Sequence, residues 1–347
     1  MSAEKVKIAV IGASGYTGAD AIRLLAAHPH AEIAALTANS HAGKPLAAVF
    51  PQFAGLDVPD LQTIETVDWD KVDAAICGLP HGTSQDVIKN LPKHIKTIDM
   101  SADFRLKDAG VYADWYGRAH DCPELLAGAV YGLTEHHRAA ISAAHLVACP
   151  GCYPTAVLTM LLPVVQGGQV VADDLVIDAK SGVSGAGRGL KESNLFAELA
   201  EGMNPYSIAS HRHAPEIEQE LSAAAGQPVT VSFTPHLVPM NRGELVTIYA
   251  RTNGAKAADI RKTLSDFYEG QPFVRVLPEG GVPATRHVRG SNFCLLGVFD
   301  DRLSGRVILV STLDNLVKGS SGQAIQNMNL MFGLDETAGL LQQPLYP

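Results

Sequence analysis

The chain has 347 residues, 46% of them hydrophobic and 18% charged. That is an ordinary globular balance, with room for two domains, and it excludes a disordered chain. With 27 Lys and Arg against 36 Asp and Glu the net charge is −9, which is not the electrostatic footprint of a nucleic-acid binder. No apolar run approaches the roughly 18 residues of a membrane helix. The charged start Met1–Lys7 leads into a short apolar run ending in glycine, unlike a signal peptide. Five cysteines in a chain this long make no disulfide framework. A cytoplasmic protein with neither membrane nor nucleic-acid partner is expected.

Lys7–Ile11 is a β-rich apolar run closed by Gly12, and Gly18–Ala27 has helical spacing with Ala21, Ile22, Leu24 and Leu25 on one face. His28-Pro29 stops that helix and Glu32–Leu36 reads as a second strand, which completes a βαβ unit of a parallel sheet. Further strands are predicted at Val72–Cys77, Thr97–Met100 and His145–Cys149. Beyond about residue 165 the texture changes. Val170–Ala179, Pro228–Pro235, Leu245–Arg251, Phe293–Asp300 and Arg306–Leu313 read as longer strands, several alternating as in an antiparallel sheet with one covered face. Helices are predicted at Leu190–Ala200, Pro215–Ala225, Ala257–Tyr268 and Ser321–Phe332. The simplest architecture is α/β: a doubly wound parallel-sheet domain followed by an α+β domain.

Gly12-Ala-Ser-Gly15-Tyr-Thr-Gly18 joins the first strand to the first helix. In that place three glycines permit a tight turn, close approach of a pyrophosphate, and close helix–strand packing. Ser14, Tyr16 and Thr17 fill the turn, and the helix N-terminus offers N–H donors to phosphate. The second strand ends in Thr37-Ala-Asn-Ser40-His-Ala-Gly-Lys44, with hydroxyls, an amide and a lysine but no acid. An NAD site usually places Asp or Glu there for the ribose 2′-OH, so Ser40 and Lys44 favour NADP. A plain solvated loop would have a similar composition.

Ala148-Cys149-Pro150-Gly151-Cys152-Tyr153-Pro154-Thr155 follows a predicted strand and precedes the apolar run Ala156–Val165. Pro154 suits the first turn of a helix. Cys152 then lies at the helix N-terminus, where the dipole and free N–H groups favour the thiolate that attacks acyl carbons. Three other readings stand beside it: an inert buried thiol, a Cys149/Cys152 redox pair, and a zinc site completed by His211 and His213. His211-Arg212-His213-Ala-Pro-Glu216 places two imidazoles and a guanidinium just ahead of a helix. Either histidine can serve as the base, with His213 preferred, and Glu216 can orient one of them. Lys180-Ser181-Gly182-Val-Ser184-Gly185-Ala-Gly-Arg188 reads as an anion-cupping loop with Arg188 as counter-charge, or as a flexible surface loop.

GASGYTGAD, LPHG (Leu79–Gly82), SADFRL (Ser101–Leu106), CPGCYPTA, KSGVSGAGR, HRHAPEI, FTPHLVPMNRG (Phe233–Gly243) and DNLVKGSSGQAIQNMN (Asp314–Asn329) occur in that order. Together they resemble the N-acetyl-γ-glutamyl-phosphate reductases, NADPH enzymes of arginine biosynthesis, from Lys7 to about Gly333. The resemblance implies a Rossmann domain with an inserted α+β catalytic domain of the semialdehyde-dehydrogenase type. The divisions would be 1–151 for NADP binding, 152–319 for catalysis and oligomerisation, and 320–347 as a helix returning to the first domain. It implies Cys152 as nucleophile and the histidines as the base region. The cofactor NADP(H) would be held by Gly12, Ser14, Gly15, Tyr16, Thr17, Gly18, Ser40, Lys44, Pro80, Ser181, Gly182 and Asn315. For an acyl-phosphate substrate and free phosphate, Arg105, Ser184, Gly185, Arg188, Arg212 and Glu216 are the expected grips, with no metal. A homodimer or homotetramer is expected. Reductases of aminoadipate-type or aspartyl phosphates, a non-catalytic NADP sensor and a zinc hydrolase are the alternative readings.

Overall fold

The first apolar run becomes strand β1 (Val6–Ile11), and the glycine turn behind it opens the helix Tyr16–Leu25. The computed structural model describes residues 5–346, so the first four residues of the charged start lie outside it. The chain divides into two units, one reaching to Pro150 and including Ser320–Gln342, the other Gly151–Gly319 with the segment from Gln343 onward.

In the first unit β1 is joined by β2 (Ala31–Thr37), β3 (Leu61–Gln62), β4 (Ala74–Cys77), β5 (Lys96–Asp99), β6 (Val130–Tyr131) and β7 (Leu146–Ala148). They form a wholly parallel sheet of order β3-β2-β1-β4-β5-β7-β6. The chain runs outward from β1 to β3 and then returns to β4 on the other side of β1, which makes β1 the switch point where open α/β sheets bind ligands. Ile11 is in register with Thr37 on one side and Cys77 on the other. Gly12, Ala38 and Gly78 therefore leave the sheet side by side at its carboxyl edge. The helix Gly322–Met331 is fastened to this unit by polar bonds: Asn329 Oδ1 accepts from His28 Nε2 (2.9 Å), Asn327 Oδ1 accepts from Thr134 Oγ1 (2.7 Å) and Ser321 Oγ donates to Asp20 Oδ2 (3.0 Å).

The second unit carries β8 (Val170–Gly182), β9 (Asn204–Pro205), β10 (Ser232–Val238), β11 (Glu244–Thr252), β12 (Val274–Val276), β13 (Cys294–Asp300) and β14 (Arg306–Leu313), in the order β12-β13-β14-β11-β8-β10-β9. The sheet is mixed, which corrects the antiparallel reading: β8 pairs parallel with β10, and β12 with β13. The long connection from β8 to β10 contains the helix Ala214–Ala225 and brings the chain back to the same end, as a parallel neighbour requires. The expected helix Leu190–Ala200 is reduced to a 3₁₀ turn at Glu192–Asn194 and a single turn at Phe196–Leu199. Leu190 is 100% and Phe196 87% exposed, so no buried face holds a longer helix together.

The helix Cys152–Gln166 packs against β11, β14 and the helix Ala214–Ala225, and every residue from Tyr153 to Val165 is buried. Its apolar sequence reflects this all-round burial.

Candidate active site

Cys152 is the first residue of that helix, with Gly151 as its N-cap and no acidic side chain in the first turn. The Gly151 N–H donates to Glu216 Oε1 at 2.9 Å. Glu216 is buried near the start of the helix Ala214–Ala225, so the carboxylate ties the two helix N-termini together. His213 precedes that second helix directly and lies so close to Gly151 that a Cβ there would overlap its Nε2. Cys152 and His213 thus both adjoin Gly151, one along the chain and one in space.

His211 is placed differently. Its ring is enclosed by Tyr153, Tyr206, Phe233 and His213, with centroids 5.8, 5.4, 5.4 and 4.7 Å away. Burial, reinforced by the neighbouring Arg212 charge, pushes its pKa down to about 4. At neutral pH this imidazole is neutral and is not an available acid. Arg212 between them is half-buried. Tyr153 and Tyr206 were not anticipated as site residues; their hydroxyls lie 3.4 Å apart and both are held un-ionised by burial. Cys149 is fully buried in the first unit, its sulfur accepting from Asn327 Nδ2 at 3.7 Å. Among the described residues, no group of three or more His, Cys, Asp or Glu side chains is arranged to hold a metal ion.

The glycine- and serine-rich loop departs from its reading as an open anion cup. β8 continues through Ser181 and Gly182, and the next turn is 3₁₀ at Val183–Ala186. The N–H groups of Gly182, Val183 and Ser184 are taken by the carbonyls of Gly243, Met240 and Asn241 at 2.9, 2.9 and 3.3 Å. The pairing of two loops explains the glycines and serines that suggested a phosphate cradle. Asn315 clamps the same loops, accepting from Gly243 N at 2.8 Å and donating to Ser184 Oγ at 2.9 Å. Ser181, Gly182, Ser184, Gly185 and Asn315 therefore form one cluster, while Arg188 lies outside it on an exposed segment.

In the first unit Gly12 has φ +83°, and a Cβ there would sit 2.5 Å from the Gly78 carbonyl. A Cβ on Gly18 would overlap the Gly12 carbonyl, whereas Gly15 meets nothing nearer than 3.4 Å. Gly15 caps the helix with extended backbone and no side-chain cap, leaving the first turn of Tyr16 and Thr17 open at the carboxyl edge, with Ser14 half-buried beside it. That geometry fits a dinucleotide pyrophosphate. Ser40 and Lys44 are exposed beyond β2, and no carboxylate ends that strand.

Pro80 is exposed in the loop after β4. Gly82 in the same loop is anchored by the buried Asp103, whose two oxygens each accept its N–H at 2.8 Å and which also takes Ser84 Oγ (2.8 Å) and Tyr112 Oη (2.7 Å). Asp103 belongs to the SADFRL run, so the signal was present without its role being read. Arg105, expected to grip substrate, is almost fully buried. Its Nε donates to Cys149 O at 2.8 Å and its Nη2 to Met100 O at 2.9 Å.

Residues 7–144 match the NAD-binding domain of the semialdehyde dehydrogenases, and residues 152–315 match their dimerisation domain. The chain is 57% identical to the N-acetyl-γ-glutamyl-phosphate reductase of Rhodospirillum rubrum, with 99% of each chain aligned. This chain belongs to the N-acetyl-γ-glutamyl-phosphate reductase family. It is accordingly an oxidoreductase with a dinucleotide-binding domain. Within the family, a probable chloroplastic reductase of Oryza sativa is 53% identical over 100% of this chain and 84% of its own. The fold is that of aspartate semialdehyde dehydrogenase II from Vibrio cholerae (TM-score 0.74, 18% identity, 95% and 99% of the two chains). Aspartate semialdehyde dehydrogenase with NADP from Candida albicans is also similar (TM-score 0.65, 18% identity, 95% and 99%). No helix among the described residues is long and apolar enough to cross a membrane.

Proposed function

We propose that the protein reduces N-acetyl-γ-glutamyl phosphate to N-acetyl-glutamate semialdehyde and phosphate with NADPH, through a thioester on Cys152. The carrying observation is the thiol at the open N-terminus of a buried helix, with His213 packed on the glycine before it. The helix dipole and its free N–H groups favour the thiolate and an oxyanion at the γ-carbonyl. Attack by Cys152 forms the S–C bond as the phosphate C–O bond breaks, and the acyl group remains on sulfur. His213 protonates the oxyanion formed when hydride reaches the thioester carbon and takes that proton back as the C–S bond breaks, releasing the aldehyde and the Cys152 thiolate. Arg212 and Arg188 are the candidate counter-charges for the carboxylate and phosphate of the substrate.

The Gly12–Gly18 turn and Pro80 are the proposed cofactor residues of the first unit, and Ser181, Gly182 and Asn315 those of the second, with Asn315 assigned to the nicotinamide. NADPH, when bound, supplies the hydride. The absence of an acid after β2, with Ser40 and Lys44 there instead, supports NADP over NAD. The match to a dimerisation domain over residues 152–315 supports a homodimer or homotetramer, and a cytoplasmic location is proposed with it.

The test uses the reverse reaction. N-acetyl-glutamate semialdehyde, phosphate and NADP are mixed and NADPH absorbance is followed for wild type and Cys152→Ala. Phosphate-dependent NADPH formation that disappears in the variant is expected. Silence with this semialdehyde but activity with another would keep the chemistry and overturn the substrate. Full turnover in Cys152→Ala would overturn the mechanism.

A further inference from the structure

Glu244 opens β11 and is fully buried. Its neighbours across the sheet are Ser181 on β8 and Leu313 on β14. Its backbone carbonyl accepts from Thr312 Oγ1 at 2.6 Å, but no donor in hydrogen-bonding geometry reaches either carboxyl oxygen. A charged carboxylate left this way costs several kcal/mol, so such groups neutralise, pair or bind something. No part of the proposed mechanism uses it.

What lies beside it is the nucleophile. The helix beginning at Cys152 packs across β11 and β14. Gly319 lies at the junction: a Cβ there would be 2.8 Å from Cys152 Cβ and 3.2 Å from Leu313 Cδ1, and Leu313 is the strand partner of Glu244. The one neighbouring group that favours the ionised carboxyl is the Cys152 thiol; burial outweighs it and pushes the pKa of Glu244 up to about 8. The other ionisable groups acting in this pocket are Asp314, which repels a second charge, and the buried hydroxyls of Tyr153 and Tyr206, which stay protonated. His213 and His211 stand at the same helix start, against Gly151 and Tyr153. None of the groups acting on Glu244 is a lysine or arginine. Thiolate and carboxylate together would place two like charges in one dry pocket, where only one is tolerated.

We infer that Glu244 is the proton-sharing partner of Cys152: the S–H bond breaks, an O–H bond forms on the carboxyl, and a thiolate is left beside a neutral acid that hydrogen-bonds it. Charge and atoms balance within the pair and no further reactant is needed. When the S–C bond later breaks, the same neutral carboxyl meets the returning thiolate. His213 is thereby left for the substrate oxygen. The inference rests on Cys152 as the nucleophile, which the turnover of Cys152→Ala tests separately.

The experiment is alkylation of the purified protein by iodoacetamide from about pH 5 to about pH 10, read at the Cys152 peptide by mass spectrometry so that Cys122 does not contribute. A pair sharing one proton gives two steps in the wild-type rate profile, because full thiolate appears only when the second proton leaves. Glu244→Gln cannot take the proton and should give a single step, with the rate near neutral pH lowered about tenfold or more. Superimposable profiles in wild type and variant would overturn the inference. Should the variant fail to fold, the wild type still decides, because a single step there overturns it as well. An alkylation profile with two steps in a protein whose Cys152→Ala form turns over normally would sustain the pair and remove the nucleophile.

Discussion

The imidazole of His213 occupies the space that a side chain on Gly151 would need. Gly151 is therefore fixed from two sides, by that ring and by the carboxylate of Glu216 on its N–H. Gly151→Ala should displace the histidine from the thiol. A kcat loss of about 100-fold with little change in KM is expected, since misplacement by an ångström costs that much. Overpacking should lower stability by about 1–3 kcal/mol. Steady-state kinetics and a thermal melt check both, and an unaltered kcat would remove His213 from the chemistry.

Glu244 also bears on stability. Unfolded, the carboxyl ionises near its ordinary value of 4.5; folded, it keeps its proton until about pH 8. While the Cys152 thiol also keeps its proton, the folded state therefore binds one proton more than the unfolded chain between those values, and stability falls as pH rises through that window. Glu244→Gln removes the slope. Its melting temperature should equal that of wild type near pH 4.5 and exceed it by several degrees at pH 8. Parallel curves for the two proteins across this range would refute the buried-acid account.

Arg105 is predicted to act on folding rather than on ligand. Arg105→Leu leaves the carbonyls of Met100 and Cys149 without their charged donor, at a cost of about 2–3 kcal/mol. Denaturant unfolding should register that loss while KM for phosphate stays within about twofold, far from the change expected on losing a charged contact. The reverse pattern would return Arg105 to the substrate.

How much of this was legible in the sequence depends on the range of the signal. Cys152 and His213 each sit in a short run whose residues announce a local event, a strand–turn–helix junction or a helix start. Glu244 directly follows the quoted run Phe233–Gly243, and an acid at the start of a strand reads as ordinary surface charge. Only the insertion of β11 between β8 and β14 turns it inward. The same long-range pairing explains Asn315, whose clamp spans residues 184, 243 and 315. It also explains why alternation alone predicted an antiparallel sheet. Leu190–Ala200 had helical spacing, but Leu199 is its one buried residue. The burial of Arg105 against the carbonyls of Met100 and Cys149 is likewise not visible in one dimension.

The coenzyme preference can be tested at Lys44, which is exposed after a strand ending in Thr37. Lys44→Glu should raise KM for NADP about tenfold or more and leave KM for NAD nearly unchanged, because only the 2′-phosphate meets the new charge. Equal effects on both coenzymes would place Lys44 outside the 2′-phosphate site.

The helix Cys152–Gln166 is the element where these effects converge. Thirteen consecutive residues behind the thiol are buried, and neither its first nor its last turn carries a charged side chain. Evolution has almost no neutral positions to explore there. A variant that loosens the helix will lower the amount of protein and the rate per molecule together, so natural alleles in this stretch should be graded by abundance and specific activity measured side by side. Selection for a well-placed sulfur and selection for a foldable core act on the same fifteen residues.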